Sequence, residues 1–381
     1  MKKTSFLGVA FLFATAAPGF GGLTSPRSLL ELGQSADLIV VASASGSYQP
    51  GDVVSFSLSV ARVLKGDPAL AGGVINVSWN GSSQGLALGP ARVTVTVAAT
   101  GSGLWFLQRS STGWQLLPVL QGTVTFNEGF FPAPSSGAIS SAYAYSPGAP
   151  LSDKIGAELG FAIESAGTAH IPQLSLLQYH LLDDLNSTFV EKLYQRLSES
   201  AIVQQEILGL SGLIRNGSAA ALTTAAQGES GFQSFALENG ILLQSIRDRF
   251  RATDANSVSA LGKATTSSSY AQDFRRATAH ALAAIHSIGS LPYLVALFDD
   301  PDPDLRVEAI GGISAFANGL PVQSPANVAS MGYLQPSSNS YRTTETIGHF
   351  AMGSRAIEQN EASYLAFWKN WWSQNRASLG Y

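Results

Sequence analysis

The chain has 381 residues, with 22 Lys+Arg against 26 Asp+Glu and no cysteine. Charged residues make up 13%, about half the ~25% of an average globular protein; with no basic surplus, the composition argues against holding nucleic-acid phosphates. The lack of cysteine excludes a disulfide framework, a zinc ribbon, an iron–sulfur cluster and a thiol nucleophile. A content of 45% hydrophobic residues is too apolar for a disordered chain.

The N-terminus has the order of an export signal. Lys2 and Lys3 form a positive n-region, Phe6 to Phe13 is a short apolar stretch, and Ala14-Thr15-Ala16 offers a small-x-small cleavage site. The apolar stretch is too short to span a bilayer. Residues 1–21 are therefore expected to be a signal peptide and the mature chain to be secreted or periplasmic. Loss of Lys2 and Lys3 would take the formal charge from −4 to −6.

Residues 24–132 read as β-structure. A short amphipathic segment, Ser28 to Leu32, comes first. The apolar run Asp37–Ala42 has strand length, and Val53–Val63 alternates, with Val54, Phe56, Leu58 and Val60 on one face. Val74–Val77, Arg92–Ala98, Leu104–Leu107, Trp114–Leu117 and Val124–Phe126 continue the set, with Arg109–Gly113 as a hairpin loop. Short strands with Gly/Ser/Pro turns predict a small barrel or sandwich. Residues 133–150, with Pro134, Pro147 and Pro150 among small residues, read as a linker.

From residue 151 the period changes to 3.6. Phe189, Val190, Leu193, Tyr194 and Leu197 share one helical face. Val203, Ile207, Leu210, Leu213 and Ile214 share the next, which stops at Asn216-Gly217. Phe274 to Ile288 and Leu305 to Phe316 repeat the pattern. Asp273-Phe274-Arg275 aligns with Asp304-Leu305-Arg306 at a shift of 31, and Glu206–Gly209 with Glu308–Gly311 at a shift of 102. Between the two Asp-x-Arg segments lie the short apolar run Leu291–Phe298 and the turn Asp299-Asp300-Pro301-Asp302-Pro303.

This helix, Pro/Asp turn and second helix over 273–319 resemble a HEAT-type repeat. The resemblance implies an α-solenoid over 151–320, in which Asp273 and Asp304 cap helices and Arg275 and Arg306 bridge neighbouring repeats. Residues 321–381 read as an extended loop and a closing helix, Glu361–Asn375, whose Tyr364, Leu365, Trp368, Trp371 and Trp372 share one face. In the β part, Ser35–Val40, Val60-x-Arg62-Val63-Leu64-Lys65-Gly66 and Gly103–Leu107 resemble the OB-type barrels of netrin and metalloproteinase-inhibitor modules. Inhibition by those modules needs an N-terminal cysteine, absent here, so the resemblance implies the fold without that activity.

Catalytic signatures are thin. Gly81-Ser82-Ser83-Gln84-Gly85 fits the nucleophile-elbow pattern, yet no helix start follows, and a turn between strands accounts for it. Asp300-x-Asp302-x-Asp304 opens like a calcium loop but has Leu305 and Gly311 where glycine and glutamate are required. The histidines His170, His180, His280, His286 and His349 form no metal-ligand spacing. Four sequons begin at Asn76, Asn80, Asn186 and Asn216. No cofactor, metal or catalytic constellation is legible.

The expected fold is thus a small β-barrel followed by an all-α HEAT-like solenoid. The expected function is non-catalytic protein binding outside the cytoplasm, with Arg275, Arg306, Trp368 and Trp372 as candidate partner contacts. The rivals are a carbohydrate- or envelope-binding module using exposed Trp105, Trp114 or the C-terminal Trp cluster, and a hydrolase or enzyme accessory with a site at the domain junction.

Overall fold

A computed structural model describes residues 29–45, 53–80, 87–88, 91–92, 101–117, 130–132, 139–165, 182–183, 185–317 and 361–381. The expected signal peptide, the nucleophile-elbow motif, most of Arg92–Ala98, Val124–Phe126 and the loop after 317 lie outside these residues.

A short helix α1 (Leu29–Ser35) leads into the barrel strands β1 (Leu38–Ser45), β2 (Val53–Lys65) and β3 (Val74–Asn80). A two-residue ladder of β4 (Ala87–Leu88) and β5 (Ala91–Arg92) stands apart, and β6 (Gly101–Ser110), β7 (Gly113–Leu116) and β8 (Phe130–Pro132) follow. Neighbours run β1-β2-β3-β7-β6, and β6 returns to pair with β1, so five strands close into a barrel. All these pairings are antiparallel except β3 with β7. The short β8 was not expected from the sequence; it pairs with Gly103–Trp105 on the edge of β6 away from β1, continuing the row that β7 begins.

Closure follows from alternation. Leu58 and Val60 point inward, as the period of two predicts, with Phe56 half-buried beside them. Leu38, Val40, Ala42, Ile75, Val77, Trp105, Leu107 and Leu116 complete that interior. β1 and β6 are buried on both faces. Their other side chains, Ile39, Val41, Leu104 and Phe106, enter a second core together with Leu29, Leu32, Tyr143, Ile155, Leu159 and Tyr194. That is why both strands read as continuous apolar runs.

The barrel therefore shares a core with the first helices. Within the stretch expected to be a linker, residues 141–143 form a 3-10 turn whose Tyr143 is fully buried. In α2 (Leu151–Ser165), Glu158 is 0% exposed. Its carboxylate accepts from Arg62 Nε and Nη2 of β2, both at 2.7 Å, and from the Tyr145 hydroxyl at 2.7 Å. Burial and this carboxylate push the Tyr145 hydroxyl well above its ordinary range, and the same carboxylate raises the Arg62 guanidinium. Lys65 adds a tie, its Nζ donating to Gly33 O at 2.9 Å and Gln34 O at 3.0 Å near the end of α1.

The helices continue as α3 (Thr188–Ser198), α4 (Val203–Arg215), α5 (Ala219–Phe232), α6 (Ala236–Gln244), a π-turn at Ser245–Arg249, α7 (Ala255–Thr266), α8 (Gln272–Ala284), α9 (Leu291–Ala296), α10 (Pro303–Ala317) and α11 (Glu361–Asn375). Extensive packing joins helices one or two places apart in this order: α2–α3, α3–α4, α4–α5, α4–α6, α5–α7, α7–α8, α8–α10 and α10–α11. Asn216 caps α4 and Gly217 takes φ +87°, the left-handed stop expected there. The face of α3 is buried as its spacing predicts, through Val190, Leu193, Tyr194 and Leu197.

Candidate functional site

The sequence-predicted contact residues lie at the C-terminal end of the helical region. Arg275, on the first turn of α8, is 7% exposed. Its guanidinium donates to Thr265 O at 3.0 Å and pairs with Asp300, just before α10. Arg306, at the matching place on α10, pairs with Glu361, the first residue of α11, at 2.7 and 2.9 Å, and donates to Asp300 O at 2.6 Å. Each arginine thus pairs with a carboxylate at or just before the start of a later helix, Asp300 ahead of α10 and Glu361 at the start of α11.

The carboxylates of the Pro/Asp turn are engaged by the frame itself. Asp302 is the cap before α10, accepting from Asp304 N at 3.0 Å, and Arg276 holds it through two hydrogen bonds of 2.8 and 2.9 Å. Asp304, expected to cap, lies within the first turn of α10 and pairs with Arg276 at 2.8 Å. Asp273 likewise falls in the first turn of α8, after its cap residue Ala271. The proline at the start of α10 moves the cap two residues upstream of Asp304. The Arg276 hydrogen bonds lower the Asp302 carboxyl to about 2. Among the described residues, no group of three or more His, Asp or Glu is arranged to hold a metal ion. His280 faces Glu308 at 2.9 Å.

The tryptophans divide by exposure. Trp368 is 0% and Trp371 5% exposed, both in the helical core, and Trp372 is half-buried against Tyr381 with ring centroids 5.5 Å apart. A contact platform at this end rests on Trp372, because Trp368 is enclosed. Trp105 is also enclosed, at 0%, its indole N–H donating to Ala42 O at 2.9 Å. It offers no surface for the carbohydrate reading, and its burial follows from its place on β6, which is covered on both faces.

Trp114 is different. It is half-buried and lines an open cleft of about 430 Å³ with Asp37, Gly66, Asp67, Leu70 and Arg109. Three connections at one end of the barrel converge there: the turn into β1, the connection from β2 to β3, and the β6–β7 hairpin. Arg109 lies over the indole with its guanidinium carbon 5.2 Å from the ring centre. Asp37 Oδ2 accepts from Arg109 N at 2.7 Å, and Asp67 Oδ1 accepts from Ala69 N at 2.9 Å. Gly66 takes φ +108°, and a Cβ there would meet Leu38 Cδ1 at 2.7 Å, so only glycine lets the turn bring Asp67 beside Asp37. The sequence marked Trp114 and Arg109 as strand and hairpin residues; Asp37 and Asp67 carried no signal, because the cleft forms only when strands 30–70 residues apart meet.

These features define a five-stranded barrel carrying a mouth cleft, followed by a helical region with a repeated Arg–carboxylate contact. No family model, no curated protein and no solved structure matches the chain. No described helix is long and apolar enough to cross a membrane.

Proposed function

We propose that the protein is an exported, non-catalytic binding protein whose helical region is a HEAT-like array serving as a protein-interaction scaffold. The observation that carries this reading is the repeated rung: Arg275 to Asp300, then Arg306 to Glu361, at equivalent places on successive second helices. A rung of this kind aligns stacked helix pairs and leaves their outer faces as one continuous surface. Packing between helices one or two places apart supports the same arrangement. The strand order β1-β2-β3-β7-β6 with a parallel β3–β7 closure supports an OB-type barrel. Export is supported by the charge, apolar and small-residue order of residues 1–21.

The test is crosslinking pull-down from the extracytoplasmic fraction of the host, with the whole chain after residue 21 as bait. Fragments cut near residue 135 are unsuitable, because the barrel and α2 share a core. The scaffold reading expects a specific protein whose crosslinks map to α3–α10. Crosslinks confined to the barrel, or no enriched protein, would count against it. N-terminal sequencing of the same material tests export, which requires a mature chain that begins after residue 16.

A further inference from the structure

We propose that the π-turn and the residues closing it, Ser245–Arg251, form a docking patch for an acidic segment of a partner protein, with Arg247 and Arg249 as its contacts. The proposal rests on the scaffold reading for the partner's being a protein, and it names the chemistry by which that partner is held. The turn has a fixed base. Ile246 and Phe250 are both 0% exposed in the helical core, and Phe250 N donates to Ser245 O at 3.1 Å. The Ser245 hydroxyl donates to Ile241 O at 2.8 Å and accepts from Arg215 Nη1 at 3.1 Å. Arg251 closes the turn, its Nη1 donating to Arg247 O at 3.0 Å and to Phe250 O at 2.8 Å. With the two apolar side chains turned inward, Arg247 and Arg249 are left exposed. Widened helical turns of this kind recur at functional sites.

Charge singles this turn out. Three arginines against Asp248 give residues 245–251 a net charge of +2, in a chain of net charge −4. The C-terminal dipole of α6 offsets only about half a charge of that. Elsewhere Arg62, Arg196, Arg215, Arg275, Arg276 and Arg306 each pair with a carboxylate from another element. Here Arg247 keeps 59% of its side chain exposed and reaches the adjacent Asp248 at 3.6 Å. Arg249 makes no hydrogen bond or ion pair among the described residues. The next carboxylate along the chain, Asp254, is occupied by Asn256 N, Ser257 N and the Ser257 hydroxyl as the cap of α7. Burial, joined by repulsion from Arg249 against the pull of Asp248, lowers the Arg251 guanidinium from its ordinary value. Uncompensated guanidinium groups on a rigid base select an anion, and their planar forks match carboxylates two bonds at a time. Extent selects which anion. Anionic membranes are read by clusters of about 4–8 basic residues, and nucleic acids by a basic surplus that this chain lacks. A short run of Asp or Glu requires neither.

The experiment titrates the purified whole chain into rhodamine-labelled hexaglutamate, followed by fluorescence anisotropy at low salt, with labelled hexaglutamine as the neutral control. Hexaglutamate is expected to bind, hexaglutamine is not, and the binding should weaken as salt is added. The double variant Arg247→Gln/Arg249→Gln, which changes two exposed side chains, is expected to bind about tenfold more weakly. Arg376→Gln removes the same kind of exposed charge just after α11 and is expected to bind like the wild type. No binding of hexaglutamate at ~0.5 mM protein, or equal binding by the double variant, would overturn the proposal. So would binding to vesicles of about 30% phosphatidylserine that the double variant loses, in the absence of hexaglutamate binding, which would assign the patch to a membrane surface. The double variant also serves as a second bait in the pull-down. A partner captured equally by both baits overturns the patch and leaves the scaffold reading standing, whereas an empty wild-type pull-down counts against both.

Discussion

Replacing Glu158 by glutamine keeps the shape of the side chain and an acceptor for Tyr145, but removes the charge that the Arg62 guanidinium pairs with. Removing one partner of a fully buried pair costs about 3–5 kcal/mol. Glu158 is 0% exposed while the Arg62 side chain keeps 25%, so water partly solvates the cation and the expected loss is about 2–3 kcal/mol. Arg62→Met leaves the carboxylate enclosed with Tyr145 as its remaining hydroxyl donor, and is expected to cost about 3–4 kcal/mol. The double variant removes both charges, so it should recover about 2 kcal/mol of the summed losses. The assay is urea denaturation of the four proteins, followed by hydrogen exchange of the β1 and β6 amides for the barrel and by far-ultraviolet circular dichroism for the helices. Because the barrel interior and the core shared with α2 meet across β1 and β6, the two signals should change together in the wild type. A coupling below ~0.5 kcal/mol, or separate barrel and helix transitions, would refute the reasoning that this pair fastens the two parts into one folding unit.

Three further outcomes are expected. Asp302 titrates at about 2 because of its Arg276 hydrogen bonds, below the ordinary ~3.9; the stability this provides is present above pH ~4 and is lost as the pH falls through about 2. Asp302→Asn, which still caps α10, should cost about 1–2 kcal/mol at neutral pH, the partly exposed Arg276 trimming the full value, and should flatten the acid limb of a stability–pH curve. Gly209→Ala should destabilise by about 2–3 kcal/mol, measured as a lowered urea midpoint, since the added Cβ would lie 2.7 Å from Leu197 C, backbone that cannot swing aside. Trp368→Ala should cost about 3–5 kcal/mol and raise hydrogen exchange of the Glu361–Asn375 amides far more than that of the barrel; equal acceleration everywhere would contradict its placement as a local lock for α11.

Periodicity located much of the framework because each pattern answers to one neighbour. Phe56–Val60 alternates because only one of its faces is enclosed, and Phe189–Leu197 repeats at 3.6 because α3 buries one stripe. The helices over 219–266 escaped notice for the converse reason. In α5 alanine, threonine and glycine dominate, and small residues give little contrast between faces. Burial of Tyr143 inside a proline-rich stretch was equally hidden, since its partners come from β1, β6 and α2–α3. The two Asp-x-Arg segments revealed the rungs, but not that Asp302, two places earlier, holds the cap. Pairing across long separations is what sequence order conceals. Glu158 with Arg62 is one such pair, and Asp37 with the backbone of Arg109 is another.

The rung from Arg306 to Glu361 has a consequence for length. On the array reading proposed above, α10 holds α11 through an Arg–carboxylate pair as α8 holds the turn before α10, with the Lys369–Asp299 pair and the apolar seat for Trp368 adding to it. A 31-residue unit carrying its own Asp-x-Arg segment and Pro/Asp turn could be spliced in ahead of α11, or one removed, without redesigning either end. The array so proposed would be modular at its C-terminal side, whereas at the N-terminal side α2 is committed to the barrel through Glu158. Any lengthening or shortening of such a chain would therefore be tolerated at one end and resisted at the other.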